Sequence, residues 1–326
     1  MQPGALVISL DFELYWGMRD KIPIAGYRDN LLGVREAIPA MLDRFRQHGI
    51  HATWATVGML MFDERESLLA SLPPEHSRPS YANRALSPYD MLGSIGTDES
   101  SDPFHYGLSL VRQIAATPHQ EIATHTFSHY YCLEAGQTEA QFRADLDAAR
   151  GAAARLDIEL ESLVFPRNQY EIAYLPACRD AGLRAYRGNE RAWMYDARAG
   201  DETSQAMRAA RLLDSHVNLS GHHLSSRPPA PDAHGLHNVP ASRFLRPVKP
   251  GAGSRALGRL RLARIAASMK AAALSGKLFH LWWHPHNFGA APAENLAQLD
   301  SLLDHFSSLR QRHGFESLTM AEAAKA

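Results

Sequence analysis

The start of the chain alternates between apolar and amphipathic segments, and this alternation limits the fold more than any other feature. Residues 5–10 are almost continuously apolar, as expected of a parallel strand that is covered on both faces. Residues 30–48 then carry the apolar spacing of a helix, which Gly49 ends, and residues 52–58 form a second apolar strand. A strand, a helix and a strand of these lengths predict a right-handed βαβ unit.

The same alternation continues through the rest of the 326 residues. We predict strands at residues 121–124, 163–165, 183–189 and 277–283, a strand or sheet edge at 236–245 and a last short strand at 315–318, with helices at 59–72 in part, 108–116, 140–156, 172–181, 257–274 and 296–309. A chain of this length forms one large α/β barrel or two ordinary domains. Because no linker is recognisable, we expect a single catalytic domain over residues 1–326, with insertions near 73–105 and 196–250.

Charge and composition exclude several functional classes. The net charge of −1 provides no positive field for nucleic acid. No apolar run reaches the roughly 20 residues of a transmembrane helix, and the start of the chain lacks the pattern of a signal peptide. The two cysteines form no C-x-x-C motif and suit a reducing compartment. We therefore expect a cytoplasmic protein.

Two carboxylates follow the first strand. Residues two apart in an extended backbone point the same way, so Asp11 and Glu13 are predicted to face one pocket. The simpler interpretation is that two acids close a strand at the surface. The aromatic residues Tyr15 and Trp16 favour the pocket, because they would form one of its walls.

Two histidines follow the strand predicted at residues 121–124. We expect His125 and His129 to lie on one face of a helical turn, close enough to bind the same ion. Neutral imidazole is a common ligand of zinc and similar metals. Taken alone, this spacing is more typical of a surface or core pair than of a metal site.

Further polar side chains follow later strands. Arg167 comes after the strand at residues 163–165, and His280, His284 and His286 lie in and after the strand at 277–283. Three protein ligands with an open position are what a catalytic metal needs, and a carboxylate and a histidine outside that set could accept and donate the protons of a hydrolysis. Together these pieces favour a metal-dependent hydrolase.

In these motifs the chain resembles the polysaccharide deacetylase superfamily, the NodB-homology fold also called carbohydrate esterase family 4, over about residues 5–320. The sequence H-T-F-S-H is similar to the family motif H-[ST]-x-x-H, which implies that His125 and His129 are metal ligands. The family usually has adjacent aspartates, the first a general base and the second a ligand. The resemblance therefore assigns the base to Asp11 and the ligand to Glu13, although Asp11 as the ligand stays open.

Three further motifs carry the resemblance. The segment at residues 166–169 is similar to the family's arginine motif in reordered form and implies that Arg167 orients the base. The segment at 281–284 matches L-x-x-H and implies that His284 is the general acid, whereas His280 and His286 are expected to be structural. The strand at 52–58 is similar to the family's A-T-F-F-x-x-G.

The resemblance implies an α/β fold, an irregular (β/α)7-type barrel with a divalent metal, zinc as first choice, at the carboxyl ends of the strands. It also implies hydrolysis of an N-acyl group, most often N-acetyl, from an amino sugar. For a cytoplasmic enzyme we expect a nucleotide- or lipid-linked glycan of surface polysaccharide or O-antigen biosynthesis as substrate. The alternatives are a non-sugar amide hydrolase on the same fold and a non-catalytic metal-containing glycan-binding protein.

Overall fold

A computed structural model describes residues 2–199, 204–248 and 252–325, the side chains of residues 252–255 excepted. Within these ranges a nine-stranded sheet runs in the order β6-β5-β4-β3-β2-β1-β8-β7, with β9 paired to β1, and its neighbouring strands are parallel. The strands are β1 (Ala5–Phe12), β2 (Ala52–Thr56), β3 (Gln120–Thr124), β4 (Ser162–Val164), β5 (Ala185–Arg187), β6 (His237–Asn238), β7 (Arg243–Phe244), β8 (Leu278–Trp283) and β9 (Glu316–Leu318).

Helices connect the strands, as the hydrophobic periodicity predicts. The first ends where Gly49 takes a left-handed conformation with φ of 58°. They are α1 (Ile24–His48), α2 (Arg65–Ala70), α3 (Leu108–Ala115), α4 (Glu139–Ala154), α5 (Leu175–Asp180), α6 (Gln205–Asp214), α7 (Ala252–Ser275), α8 (His286–Gly289), α9 (Pro292–His313) and α10 (Met320–Lys325). None of the helices in the described ranges is long and apolar enough to cross a membrane.

Strand β1 is buried along its whole length, and its alternate residues face two different cores. Leu6, Ile8 and the following even-numbered residues pack in the large cluster formed with the helices. Ala5 and Val7 pack instead in a smaller cluster with residues of β4, β5 and α10. The odd-numbered side chains therefore point into the barrel, and after the apolar pair at its base the next inward residues of the same strand are Ser9 and then Asp11.

The two ends of the sheet are joined by one continuous segment, residues 237–245, which contains β6 and β7. The backbone N–H of Ala241 donates to the carbonyl of Gly188, just beyond β5, at 2.8 Å. The next residue, Ser242, donates its N–H to the carbonyl of His280 in β8, also at 2.8 Å. This segment completes the circuit of strands, and the predicted irregular (β/α)7-type barrel is confirmed.

The segment at residues 73–105 contains short 3₁₀ turns at Glu75–Ser77, Arg84–Leu86 and Tyr89–Met91. It is held close to the end of β1 by Trp16, whose Nε1–H donates to the carbonyl of His105 at 2.8 Å. The segment therefore contributes to the rim around the carboxyl end of β1.

Candidate active site

Three buried side chains converge at the carboxyl ends of β1 and β3. The Oε2 atom of Glu13 lies 2.8 Å from Nε2 of His129 and 3.4 Å from Nε2 of His125. One ligand atom from each residue lies within 4.8 Å of those from the other two. A carboxylate oxygen and two imidazole nitrogens at these separations form a donor set suited to zinc and similar metals.

The loop that carries the histidines is not the helical turn that the spacing predicts. Thr126 and His129 have left-handed backbones with φ of 63° and 57°, so residues 125–129 form an irregular bend. Asp145 stabilises this bend, because its Oδ1 accepts the backbone N–H of Phe127 at 2.7 Å. The imidazole centroids are nevertheless 4.9 Å apart, so the predicted proximity of the rings is retained through a different backbone.

Hydrogen bonds at the far side of each ring orient the histidines. Nδ1 of His125 lies 2.7 Å from the carbonyl of Val164, an obligate acceptor, so the proton is assigned to Nδ1 and the lone pair of Nε2 faces Glu13. That Nε2 is buried and makes no hydrogen bond within the described chain. Nδ1 of His129 lies 3.0 Å from the hydroxyl of Tyr131. An unsatisfied buried nitrogen with its lone pair aimed at a carboxylate fits a bound metal ion.

Burial lowers the pKa of His129 to about 3, so this ring is neutral near pH 7 and its nitrogen is available as a ligand. Burial alone would raise the pKa of Glu13, but its interactions with the facing rings of His284 and His129 hold it well below its ordinary value. The space for this carboxylate depends on Gly17, since a Cβ at that position would overlap the Glu13 carboxyl group. The donor set therefore contains an ionised carboxylate and a neutral imidazole.

The second carboxylate, Asp11, forms a buried pair with Arg187. The two terminal nitrogens of the guanidinium donate to the two carboxylate oxygens at 2.7 Å each. Arg187 also donates to Asn168 at 2.9 Å and lies 4.2 Å above the ring of Trp282. Burial opposes ionisation of Asp11, but the charge and hydrogen bonds of Arg187, together with the neighbouring histidines, outweigh it and hold the pKa below the ordinary value. Asp11 is therefore an ionised carboxylate with a fixed orientation.

Arg167, the arginine predicted to orient the base, does not contact Asp11 in this structure. Its guanidinium donates to Asp20 at 2.6 Å and lies 4.2 Å above the ring of Tyr131. The backbone of Arg167 is left-handed, with φ of 55°, in the turn that follows β4. The contact expected of Arg167 is thus made by Arg187, one strand further along the sheet.

His284 lies across the site at the end of β8. Its Nε2 is 3.7 Å from Oδ2 of Asp11 and also 3.7 Å from Oε1 of Glu13. The side chain is 23% exposed, unlike the buried histidines around it, and so it is accessible to a ligand. This position between the two carboxylates is compatible with proton exchange with either a bound water or a leaving group.

The remaining histidines of β8 and α8 differ in their contacts. His280 uses both ring nitrogens, one 2.9 Å from the carbonyl of Val239 and the other 2.8 Å from Ser9 Oγ. His286 is also buried, but its Nε2 lies 3.9 Å from Glu13 Oε1 and its Nδ1 has no hydrogen-bond partner in the described chain. His280 therefore connects strands, whereas His286 forms part of the wall behind His284, with the two rings stacked 5.0 Å apart.

A cavity of about 530 Å³ opens from this site. It is lined by His284 and His286 together with Tyr27, Arg246 and Arg261. A volume of this size accommodates a sugar ring with a substituent.

Sequence reasoning did not place Arg187 or Tyr131 in the site. Arg187 lies in a strand of apolar neighbours near its carboxyl end, and an arginine there is buried and needs an anionic partner. That argument could have identified it. Tyr131 offers no comparable signal, because its contact with His129 depends on the irregular loop between them.

No protein-family model and no curated protein sequence matches this chain. Solved structures do match it along nearly its whole length. A Mycobacterium smegmatis protein classed provisionally as a polysaccharide deacetylase has a TM-score of 0.58 at 12% identity, with 100% of this chain and 93% of that one covered.

Two further structures have comparable scores. The 4-alpha-glucanotransferase from Thermococcus litoralis gives a TM-score of 0.56 at 12% identity and covers 100% of this chain, but only 40% of its own length takes part. The allantoinase Puue gives 0.55 at 11% identity, with 98% of this chain and 88% of that one covered. Identities this low establish the fold alone. The chain has the fold of the polysaccharide deacetylase structure, and at that level the resemblance to the polysaccharide deacetylase superfamily is confirmed.

Proposed function

We propose that this chain is a metal-dependent hydrolase that removes an N-acyl group, N-acetyl in the first instance, from an amino sugar. The observation that carries the proposal is the buried group of Glu13, His125 and His129, in which one imidazole nitrogen has no hydrogen-bond partner among the described residues. Asp11 and His284 adjoin this group on its open side. The arrangement thus combines a metal-binding set with a separate proton acceptor and donor.

Glu13, His125 and His129 would hold the ion, and the nitrogen and oxygen donors favour zinc. When bound, a divalent ion supplies Lewis acidity, which polarises a carbonyl and lowers the pKa of water. This assignment makes Glu13 the carboxylate ligand. It is supported by the engagement of both Asp11 oxygens with Arg187, which leaves Glu13 as the carboxylate beside the two rings.

Asp11 would accept the proton of the attacking water. Each carboxylate oxygen has two lone pairs, so Oδ2 retains acceptor capacity beyond its bond with Arg187. Arg187 fixes the direction of the carboxylate, and the burial of the pair keeps it from reorienting towards bulk water. In this proposal Arg187 is a positioning residue for the base.

His284 would donate a proton to the leaving nitrogen. Its Nε2 lies opposite Glu13 and beside Asp11, and its partial exposure to the cavity lets a substrate reach it. The presence of both an acceptor and a donor argues against a purely glycan-binding role, because binding alone requires neither. A role in O-antigen or other surface polysaccharide assembly stays a prediction from the sequence.

A second candidate function is hydrolysis of a non-sugar amide. The allantoinase with a similar fold favours keeping this alternative, because the same fold supports more than one amide substrate. The proton-transfer residues proposed here would serve either reaction. The two functions differ in substrate and not in the groups that carry out the chemistry.

Acetate release from a panel of N-acetyl amino sugars, measured beside a separate assay for ring opening of allantoin, separates these functions. We expect acetate from at least one sugar, loss of activity after chelation, and recovery on adding zinc. Activity that survives complete removal of metal would contradict the mechanism. Hydrolysis of allantoin without acetate release from any sugar would instead support the second candidate function.

A further inference from the structure

We propose that the substrate is amphiphilic, an amino sugar joined through a phosphate to a hydrocarbon chain. This inference rests on the proposed function, since it names the substrate class of the same site. Three features of one cavity carry it: the proton donor, two arginines and a rim of exposed leucines. They correspond in order to the sugar, the phosphate and the hydrocarbon.

The first step is that these features share one space. The cavity that contains His284 and His286 is also lined by Arg246 and Arg261 and by the aliphatic side chains of Leu212 and Leu257. Leu212 lies in α6 and Leu257 in α7, so the rim is formed where these helices approach each other. Arg246 lies 5.9 Å from the ring of Phe244, which is itself 5.8 Å from that of His284. Leu257 lies one turn before Arg261 on α7, so the guanidinium groups adjoin both the proton donor and the apolar rim.

The second step concerns the positive charge. The Nε of Arg261 is buried without a hydrogen-bond partner, and in the described chain neither Arg246 nor Arg261 forms an ion pair. Burial and the charge of Arg246 lower the pKa of Arg261, as expected of two cations forced together. The carboxylate of Glu190 and the guanidinium of Arg211 line the adjoining cavity with them, so positive charge predominates.

The nearby carboxylate of Asp214 does not neutralise this charge, because other arginines already occupy it. Arg243 donates to Asp214 at 2.7 Å, and Arg264 lies 3.4 Å from its other oxygen. An arginine pair that forms no ion pair with a protein carboxylate is an arrangement that binds phosphate with charge-assisted hydrogen bonds. The cavity therefore favours an anionic substrate group next to the sugar position.

The third step concerns the rim. Leu212 and Leu257 are 52% and 49% exposed although they line the cavity. The same two helices and the loop after α6 expose further large aliphatic side chains, namely Leu213, Val217, Leu219 and Leu260. Clustered exposed aliphatic residues beside a ligand cavity are typical of a site for an apolar group. A hydrocarbon chain fits this rim better than the polar base of a sugar nucleotide, which would need hydrogen-bonding partners.

The test measures calorimetric binding of farnesyl phosphate, with farnesol as the probe without phosphate and inorganic phosphate as the probe without a tail. We expect farnesyl phosphate to bind at least about tenfold more tightly than either. Arg261→Gln should weaken its binding by about tenfold, because one charge-assisted contact is lost. Leu257→Asn removes the apolar side chain without adding a charge, so it should weaken farnesyl phosphate binding while leaving inorganic phosphate binding unchanged.

Two variants on the same helix provide matched controls. Arg259→Gln changes an exposed arginine of α7 that lines neither cavity, and Leu274→Asn changes a leucine that is 58% exposed near the end of that helix. Both should bind farnesyl phosphate as the unmodified chain does. Equal binding of farnesyl phosphate and farnesol, or of farnesyl phosphate and inorganic phosphate, would overturn the inference.

Failure of this inference is distinguishable from failure of the proposed function. Acetate release from simple N-acetyl sugars by a protein that does not bind farnesyl phosphate would overturn the amphiphilic substrate and leave the hydrolase standing. Tight, Arg261-dependent binding without hydrolysis of any N-acyl sugar would overturn the hydrolase and support the site for a phosphate-linked hydrocarbon.

Discussion

Arg187 and Asp11 form a bidentate ion pair between β5 and β1, with two N–O distances of 2.7 Å and almost no solvent exposure of either side chain. Two charges are buried this deeply only when each satisfies the other, because an unpaired buried charge is very costly. The pair therefore connects opposite sides of the barrel at the level of the candidate site.

Replacing Arg187 tests this pair. Arg187→Met should lower the free energy of unfolding by about 3–5 kcal/mol in urea, because it leaves Asp11 buried without its counter-charge. It should also lower kcat/KM by at least about 100-fold, since the base loses its orientation. Arg184→Met is the matched control, because Arg184 is exposed and its pair with Glu161 is at the surface. That control should change stability by less than about 1 kcal/mol.

Combining Arg187→Met with Asp11→Asn distinguishes the structural from the functional effect. The double variant should regain part of the lost stability, because no unpaired charge remains, but activity should stay low without a base. Recovery of activity in the double variant would contradict the role proposed for Asp11.

The two carboxylates should differ in their effect on metal affinity. Glu13→Gln should weaken zinc binding by at least about tenfold, because the amide is a poorer ligand than the carboxylate. Asp11→Asn should retain zinc and lose activity instead. Competition with a chromophoric chelator measures both affinities, and the reverse order would make Asp11 the ligand.

Gly17 offers a steric test of the same site. Gly17→Ala places a methyl group where the Glu13 carboxyl group lies, so the carboxylate must move. We expect zinc affinity to fall by about tenfold or more while the far-ultraviolet circular dichroism is unchanged. Gly151→Ala in α4 is the control, because its Cβ meets no atom within 4 Å and should stabilise the helix by about 1 kcal/mol. Equal zinc affinities in both variants would rule out the steric dependence.

Asp145 should make the free energy of unfolding of the metal-free protein depend on pH. Burial raises its pKa to about 6, above the ordinary aspartate value of 3.8. Between these values the native state binds the additional proton, so the stability contributed by this group is full at low pH and is lost as pH rises through 6. The difference is at most about 3 kcal/mol. Urea midpoints from pH 4 to 7 should therefore decline more for the unmodified chain than for Asp145→Asn, and parallel curves would contradict the linkage.

Most strands could be predicted from the sequence because a buried parallel strand is a short apolar run between turn signals. The strand expected at residues 277–283 is Leu278–Trp283, and that expected at 121–124 is Gln120–Thr124. Helix ends were less predictable. The first helix begins at Ile24, well before residue 30, because Pro23 provides an N-terminal boundary that the apolar spacing does not reveal.

Within the candidate site, the strand ends expected to converge do so, but Asp11 is contacted by Arg187 and not by Arg167. Arg167 follows one short strand and Arg187 ends the next, and which of them reaches Asp11 depends on the curvature of the sheet. The loop at residues 125–129 was also unpredictable, since its left-handed residues are stabilised by Asp145 from a later helix. Such contacts between distant parts of the chain leave no periodic pattern in the sequence.

The segment at residues 237–245 joins the two ends of the sheet. Its position makes the proposed metal binding separable from the proposed proton transfer. Glu13 follows β1, and His125 and His129 follow β3. These two strands stay joined through β2 whether or not the segment at 237–245 is intact. Arg187, by contrast, ends β5 and His284 follows β8, and these are the two strands that this segment ties together. If the proposed roles hold, a single backbone cleavage within residues 237–245 should leave zinc affinity intact and abolish hydrolysis.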